Sequence, residues 1–156
     1  MRSLSSILAF FLFLAPSSLF SGVSPASCET VVRDLNRTLQ AGIDEEELVD
    51  ALRFLNASGD RKLPEKFITK GKASRMGWSP GRDLWGVPGL RGKSLGGDRF
   101  GNRERRLPRV PEGWREADLD YKGGRRGAKR LVYSAGGRRM ITADHYSTFL
   151  EVPACR

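Results

Sequence analysis

The chain has 156 residues, with 27 Lys and Arg against 18 Asp and Glu, a formal charge of +9, two cysteines and one histidine. That length suits one domain with a real core and excludes two of ordinary size. So basic a chain is drawn to polyanions such as RNA, DNA, sulfated sugars or anionic membrane. One histidine and no Cys-x-x-Cys leave no ordinary zinc site, so zinc catalysis is not expected.

The first 26 residues carry a single charge, Arg2, followed by the apolar run ILAFFLFLA at 7–15. A basic start before a short apolar stretch reads as a secretory leader, and the run is shorter than the ~20 residues that span a bilayer. Small residues at 24–26 offer a cleavage point after Ala26. The mature chain is then exported, extracellular and without a membrane span. Cys28 lacks the leucine-led triplet that would mark a lipid-anchored cysteine. In an oxidising compartment Cys28 and Cys155 are expected to pair, joining the two ends of the mature chain.

Apolar positions at Val31, Val32, Leu35 and Leu39 predict a short helix over 29–42, stopped by Gly42. A second helix follows, capped by Asp44 and opening with Glu45 to Glu47, where the helix dipole favours negative charge. Its apolar face is Leu48, Val49, Leu52 and Leu55, and ASGD ends it. A third short helix covers 69–77, capped by Thr69. From Trp78 onward Gly and Pro punctuate short apolar runs of period two, which predicts strands near 93–99, 113–120, 129–134, 138–143 and 147–152. Helices first and about five antiparallel strands second make an α+β fold, helices packed on a twisted sheet. GKS at 92–94 is no phosphate loop, because Val87 stands where that motif needs glycine. The triplets at Asn36 and Asn56 match the glycosylation pattern and are assigned no function.

Alternation in 113–134 carries the chemistry. Ala117, Leu119 and Tyr121 share the side suited to the helices, while Trp114, Glu116, Asp118 and Asp120 share the other. On the next strand Leu131 and Tyr133 point inward, which turns Arg130 and Val132 onto the open face with the carboxylates. Arg126 and the strand of His145 lie near. An acid, a base and several cations on one face suit phosphodiester chemistry.

These residues carry a family likeness. The blocks KLPEKFITK (62–70), GKSLGGDRFGNRERRLP (92–108), WREADLDY (114–121), KRLVYS (129–134) and DHYSTF (144–149) occur in order. With nearly matching spacing, the chain resembles the microbial guanyl-preferring ribonucleases of the barnase type. The likeness spans about 44–152. With the leader at 1–26, this leaves an N-terminal extension at 27–43 and a ribonuclease domain at 44–156.

The resemblance implies roles. Glu116 matches the general base that takes the ribose 2′-hydroxyl proton. His145 matches the general acid that protonates the departing 5′-oxygen. Lys70, Arg126 and Arg130 match the cations around the scissile phosphate. Glu104 matches the carboxylate that reads guanine, with Phe100, Asn102 and Arg103 in the same loop. Tyr146 borders the site, and Asp118 holds the arginines. The activity implied is metal-free, cofactor-free cleavage of single-stranded RNA after guanosine through a 2′,3′-cyclic phosphate. RNA alone carries the internal nucleophile. An imidazole titrates near neutrality, so it can donate a proton and be recharged. One carboxylate can accept from guanine N1–H and N2–H₂ together, a pattern adenine lacks. A monomer is expected, and an acidic inhibitor of the barstar kind is the protein partner such a cleft would steer in. The chain departs from the family at Gly101, where serine is common, and at GRRGAKR (124–130), which replaces a more polar, acid-containing turn. Two other readings keep the fold: a catalytically inactive basic domain that binds RNA or other polyanions, and the same nuclease used as a secreted toxin.

Overall fold

The computed structural model describes residues 24–156; the predicted leader, but for its last three residues, lies outside the described residues. Helix α1 (Cys28–Leu39) begins at Ser27, whose hydroxyl accepts from the Thr30 amide. It ends three residues short of the predicted stop. The Asn36 side chain both donates to Ile43 O and accepts from Ile43 N, each at 2.8 Å, and so turns the chain away from the helix. Helix α2 (Glu45–Ser58) starts where expected, with the Asp44 carboxylate accepting from Glu47 N at 3.1 Å, and stops at a left-handed Gly59. Helix α3 (Lys70–Arg75) is capped by Thr69.

The sheet has six strands, one more than anticipated, in the order β1 (Phe67–Ile68), β2 (Ser94–Phe100), β3 (Trp114–Asp118), β4 (Arg130–Tyr133), β5 (Arg139–Thr142) and β6 (Leu150–Glu151). The extra member, β1, is two residues long, too short for any period to register, and pairs parallel with β2. All other pairings are antiparallel. The glycine pair in β2 has a steric cause. A Cβ on Gly96 would sit 2.8 Å from a Phe67 ring carbon and 3.0 Å from Ala117 Cβ, and Gly97 takes φ 92° where the β2–β3 register shifts. The shift sets Asp98 opposite Glu116.

Helices α1 and α2 cover one face of the sheet. Leu48, Leu52 and Leu55 pack with Leu119, Leu131, Tyr133 and Ile141, and Val31, Val32 and Leu35 of α1 join the same core. Tyr121, expected in that layer, instead packs with Ala73, Trp78, Leu84, Leu90 and Leu95 beneath the long loops after α3. On the opposite face Leu107, Trp114, Val132 and Met140 form a small third core, flanked by Phe100, Val110, Tyr146 and Phe149. The face expected to be open is therefore largely roofed.

Asp120 does not share the Glu116 face. Strand β3 ends at Asp118, and Asp120, at φ 58°, turns to accept from Asp44 N (2.9 Å) and Lys129 Nζ (2.5 Å), which pins the start of α2 to the sheet. The cysteines pair as expected: Cys28 and Cys155 are bonded, their Cα atoms 4.8 Å apart across 127 residues of sequence. Cys28 N–H donates to Arg156 O, Arg156 N–H to Ala26 O, and Asn56 Nδ2 to Cys155 O. Closing so long a loop removes conformations mainly from the unfolded chain. Replacing both cysteines by serine should lower the unfolding free energy by about 4 kcal/mol, read from urea titrations. A loss too small to measure would mean that the bridge does not constrain the unfolded chain.

Candidate active site

Register builds the site. On the face away from α1 and α2, Glu116 of β3 lies between Asp98 of β2 and Val132 of β4, and Asp118 lies opposite Arg130, which in turn faces Thr142 of β5. Glu116 is 8% exposed, and Asp118 and Arg130 are each 2% exposed. Burying charges this deeply costs several kcal/mol per ion unless each finds partners. Asp118 supplies them. Its two oxygens accept from Arg126 Nε (2.5 Å) and Nη2 (2.6 Å), and Arg130 Nε lies 3.0 Å from Oδ1. The hydrogen bond to Asp118 is the largest influence on Arg126 and raises its pKa above the ordinary arginine value. Arg130 also donates to Lys129 O (2.7 Å) and to Tyr146 Oη (3.1 Å).

Glu116 is gripped from both sides. Lys70 Nζ donates to Oε1 at 2.8 Å and Tyr146 Oη–H to Oε2 at 2.6 Å. Burial pushes the carboxyl up, but these two hydrogen bonds and the nearby cations outweigh it and hold Glu116 below the ordinary glutamate value. Tyr146 moves the other way: burial, and then its donation to Glu116, push the phenol up to about 12. Lys70 is set in place by its backbone, whose N–H donates to Asp98 Oδ2 at 2.8 Å.

His145 is exposed at the rim. Its ring centroid lies 5.0 Å from that of Tyr146, so imidazole and Glu116 carboxylate border the same tyrosine. His145 (φ 57°) and Tyr146 (φ 72°) are consecutive left-handed residues, a conformation that costs non-glycine residues of order 1 kcal/mol each. The loop is held there by hydrogen bonds that sequence reasoning passed over. Thr142 Oγ1 accepts from Tyr146 N and donates to Asp144, and Asp144 accepts from Thr148 N and Oγ1. Those Thr148 bonds, the backbone one first, hold the Asp144 carboxyl down at about 2.

Beside the tyrosine a cavity of about 460 Å³ opens, lined by Phe100, Arg103, Glu104, Arg106, Tyr146 and Phe149 among others. Phe100 stacks on Tyr146 with centroids 5.2 Å apart. Glu104, its side chain 73% exposed, accepts from Arg106 Nε at 2.6 Å, and Arg106 Nη1 donates to Ser147 O, a brace between the two loops. The Asn102 amide is used inside its own loop, donating to Leu107 O (2.6 Å) and accepting from Leu107 N (3.0 Å). Glu116, Lys70, Asp118, Arg126, Arg130 and Tyr146 thus form one hydrogen-bonded cluster, with His145 against its edge and Phe100, Arg103 and Glu104 in the adjoining cavity. The residues that sequence reading missed are Asp98, Arg106, Thr142 and Asp144. Of these only the Asp-x-x-x-Thr spacing of 144–148 carries a local signal, that of a side chain capping its own turn.

A family model described as ribonuclease matches residues 53–153, a span that holds every residue of the cluster and the cavity. The chain belongs to the ribonuclease family. Its likeness is to the barnase-type microbial ribonucleases. A ribonuclease of Bacillus pumilus is 38% identical across 97% of this chain and 99% of its own length, and that of Bacillus intermedius is the same in all three respects. A ribonuclease of Heyndrickxia coagulans is 47% identical over 59% of this chain and 84% of its own. In this ribonuclease the family match starts inside α2, so α1 and both cysteines lie outside it.

Removing Asp118 would strand a buried guanidinium. Asp118→Ala should lower stability by about 3–5 kcal/mol, the cost of breaking a buried pair from one side. Thermal and urea unfolding measure it, and a loss near that of a surface ion pair would show that Arg130 finds water instead.

Proposed function

We propose that this ribonuclease is an exported, metal-independent endoribonuclease that cuts single-stranded RNA after guanosine by acid–base transesterification. The observation that carries the reading is Glu116, buried yet held ionised between Lys70 and Tyr146, with the His145 ring beside that same tyrosine. An ionised carboxylate can accept the 2′-hydroxyl proton. The 2′-oxygen then attacks the adjacent phosphorus, and the bond to the 5′-oxygen breaks as His145 donates a proton to that oxygen. The products are a 2′,3′-cyclic phosphate and a free 5′-hydroxyl. Hydrolysis of the cyclic ester runs the roles in reverse, water giving its proton to the imidazole while the glutamic acid returns one to the 2′-oxygen. Lys70, Arg126 and Arg130 are cations already oriented before substrate arrives, so little reorganisation is needed as charge builds on the phosphate oxygens. In the cavity, Glu104 is the acceptor for guanine N1–H and N2–H₂, and Phe100 and Tyr146 offer aromatic faces for the base. Export is supported by the leader pattern and by the paired cysteines, which suit an oxidising compartment.

Glu116→Ala and His145→Ala should each cut kcat/KM on a guanosine-containing RNA by about 10² or more in EDTA, with 2′,3′-cyclic ends in the wild-type digest. Since Glu116 titrates below the ordinary 4.5, the acid limb of kcat/KM should fall below pH 4.5. Tyr146→Phe removes a donor to the charged form and should move that limb upward. A wild-type rate in either alanine variant, or a need for added metal, would refute the mechanism.

Guanine preference has its own test. Glu104→Ala should lower the ratio of cleavage after G to cleavage after A by about tenfold or more, while binding of polyuridine stays unchanged. An unaltered ratio assigns base choice elsewhere.

A further inference from the structure

The cavity beside Tyr146 has two walls from different parts of the chain. Phe100 ends β2, and Glu104 stands on the loop after it. Tyr146 and Phe149 stand on the loop that carries His145. Aromatic contacts join the walls, Phe100 stacking on Tyr146 and meeting Phe149 edge-on at 6.1 Å. Among the described residues a single hydrogen bond crosses between 101–113 and 143–149, from Arg106 Nη1 to Ser147 O at 2.6 Å. The same guanidinium gives Nε to Glu104 Oε2, also at 2.6 Å. One side chain therefore touches both the carboxylate of the first wall and the backbone of the second.

Both ends of that link are anchored. Behind Arg106, the Asn102 amide bonds both backbone groups of Leu107, and Arg105 N donates to Asn102 O at 3.0 Å, which closes 102–107 on itself. At the far end Ser147 Oγ donates to Asp144 O (3.1 Å) and His145 N donates to Ala128 O (3.2 Å), so Ser147 O belongs to the same braced turn as the imidazole. Glu104 has no such frame. Its side chain is 73% exposed, and among the described residues Arg106 is that side chain's one hydrogen-bond and ion-pair partner. An exposed carboxylate left alone samples several rotamers, which a ligand must then order, whereas one held beforehand spares that cost. Arg106 leaves Oε1 open, and Oε2 keeps a second acceptor direction, so two donors of a base can reach the carboxylate with the arginine in place. A guanidinium holds its donors in one rigid plane, while an ammonium is a point charge that lets its partner swivel.

We propose that Arg106 is a positioning residue for base choice, presetting the Glu104 carboxylate for guanine and tying it to the turn of His145. The proposal rests on the reading of Glu104 as guanine acceptor and His145 as general acid. A guanine seated on Glu104 steadies, through Arg106 and Ser147 O, the turn that presents the imidazole. A base that makes no use of Glu104 gains nothing from the link. Guanine is therefore preferred in kcat as well as in KM.

The test measures kcat and KM separately on two dinucleoside monophosphates, one cut after G and one after A. Arg106→Ala should lower kcat/KM after G about tenfold more than after A, the value of one lost charge-assisted contact, with part of the loss in kcat. Arg106→Lys restores the charge without the planar fork, so it should recover KM and leave kcat after G low. In a Glu104→Ala background, adding Arg106→Ala should cost no more after G than after A, because the two side chains act as one unit. Thermal unfolding of every variant reports on the fold, and the lysine variant carries the test if the alanine variant is unstable. Equal losses on the two substrates, a loss confined to KM, or full recovery by lysine would each overturn the proposal. A wild-type protein without preference for G, or a preference untouched by Glu104→Ala, would refute the guanine reading beneath it. A preference that needs Glu104 and not Arg106 would sink this inference alone.

Discussion

A carboxylate buried between two guanidiniums holds this molecule's chemistry in place. Asp118 is almost inaccessible, and so is Arg130 across the β3–β4 ladder. Neither charge would survive there alone. Together with Arg126 they satisfy one another, and the geometry that results aims cationic groups toward Glu116 and Tyr146 with no substrate present. Stability and preorganisation are the same interaction viewed from two sides. Strand register places Arg130, and Arg126, in the turn before β4, is drawn to the same sheet carboxylate.

Tyr146 is the second point of convergence. Its hydroxyl donates to Glu116 and accepts from Arg130, its ring stacks on Phe100, and its neighbour is His145. One side chain thereby separates the hydrogen-bonded cluster from the cavity beside it while touching both. The cost is local strain at two left-handed residues, offset by the Thr142 and Asp144 hydrogen bonds beneath them. Loop and sheet are so coupled that a change in Thr142, itself fully buried on β5, would be felt at the imidazole.

What the sequence disclosed follows from which signals are local. Helix α2 was legible end to end, since Asp44, the acidic first turn, the leucine face and Gly59 all agree. The alternation of 114–118 correctly put Glu116 and Asp118 on one face with Arg130. It misjudged that face as open, because the roof comes from Leu107 and Phe149, carried by loops distant in sequence and packed around Trp114, Val132 and Met140. Asp120 broke the alternation because a left-handed turn begins just past Asp118, and nothing in DLDY announces it. Helix α1 ran short because Asn36 reaches seven residues ahead to Ile43, a contact no periodicity encodes. The resemblance supplied Lys70, Glu104 and His145. It could not supply Arg106 or Asp98, whose parts here are read only from contacts across the sheet and between loops.

The Cys28–Cys155 bond turns 128 consecutive residues, both cysteines included, into a closed covalent ring that contains every strand and helix among the described residues. A single nick by a protease in any exposed turn within that ring opens it without releasing a fragment. The two pieces stay tethered and packed around a shared core, so destruction requires a second cut. Against proteases, that is resistance built from connectivity and not from rigidity.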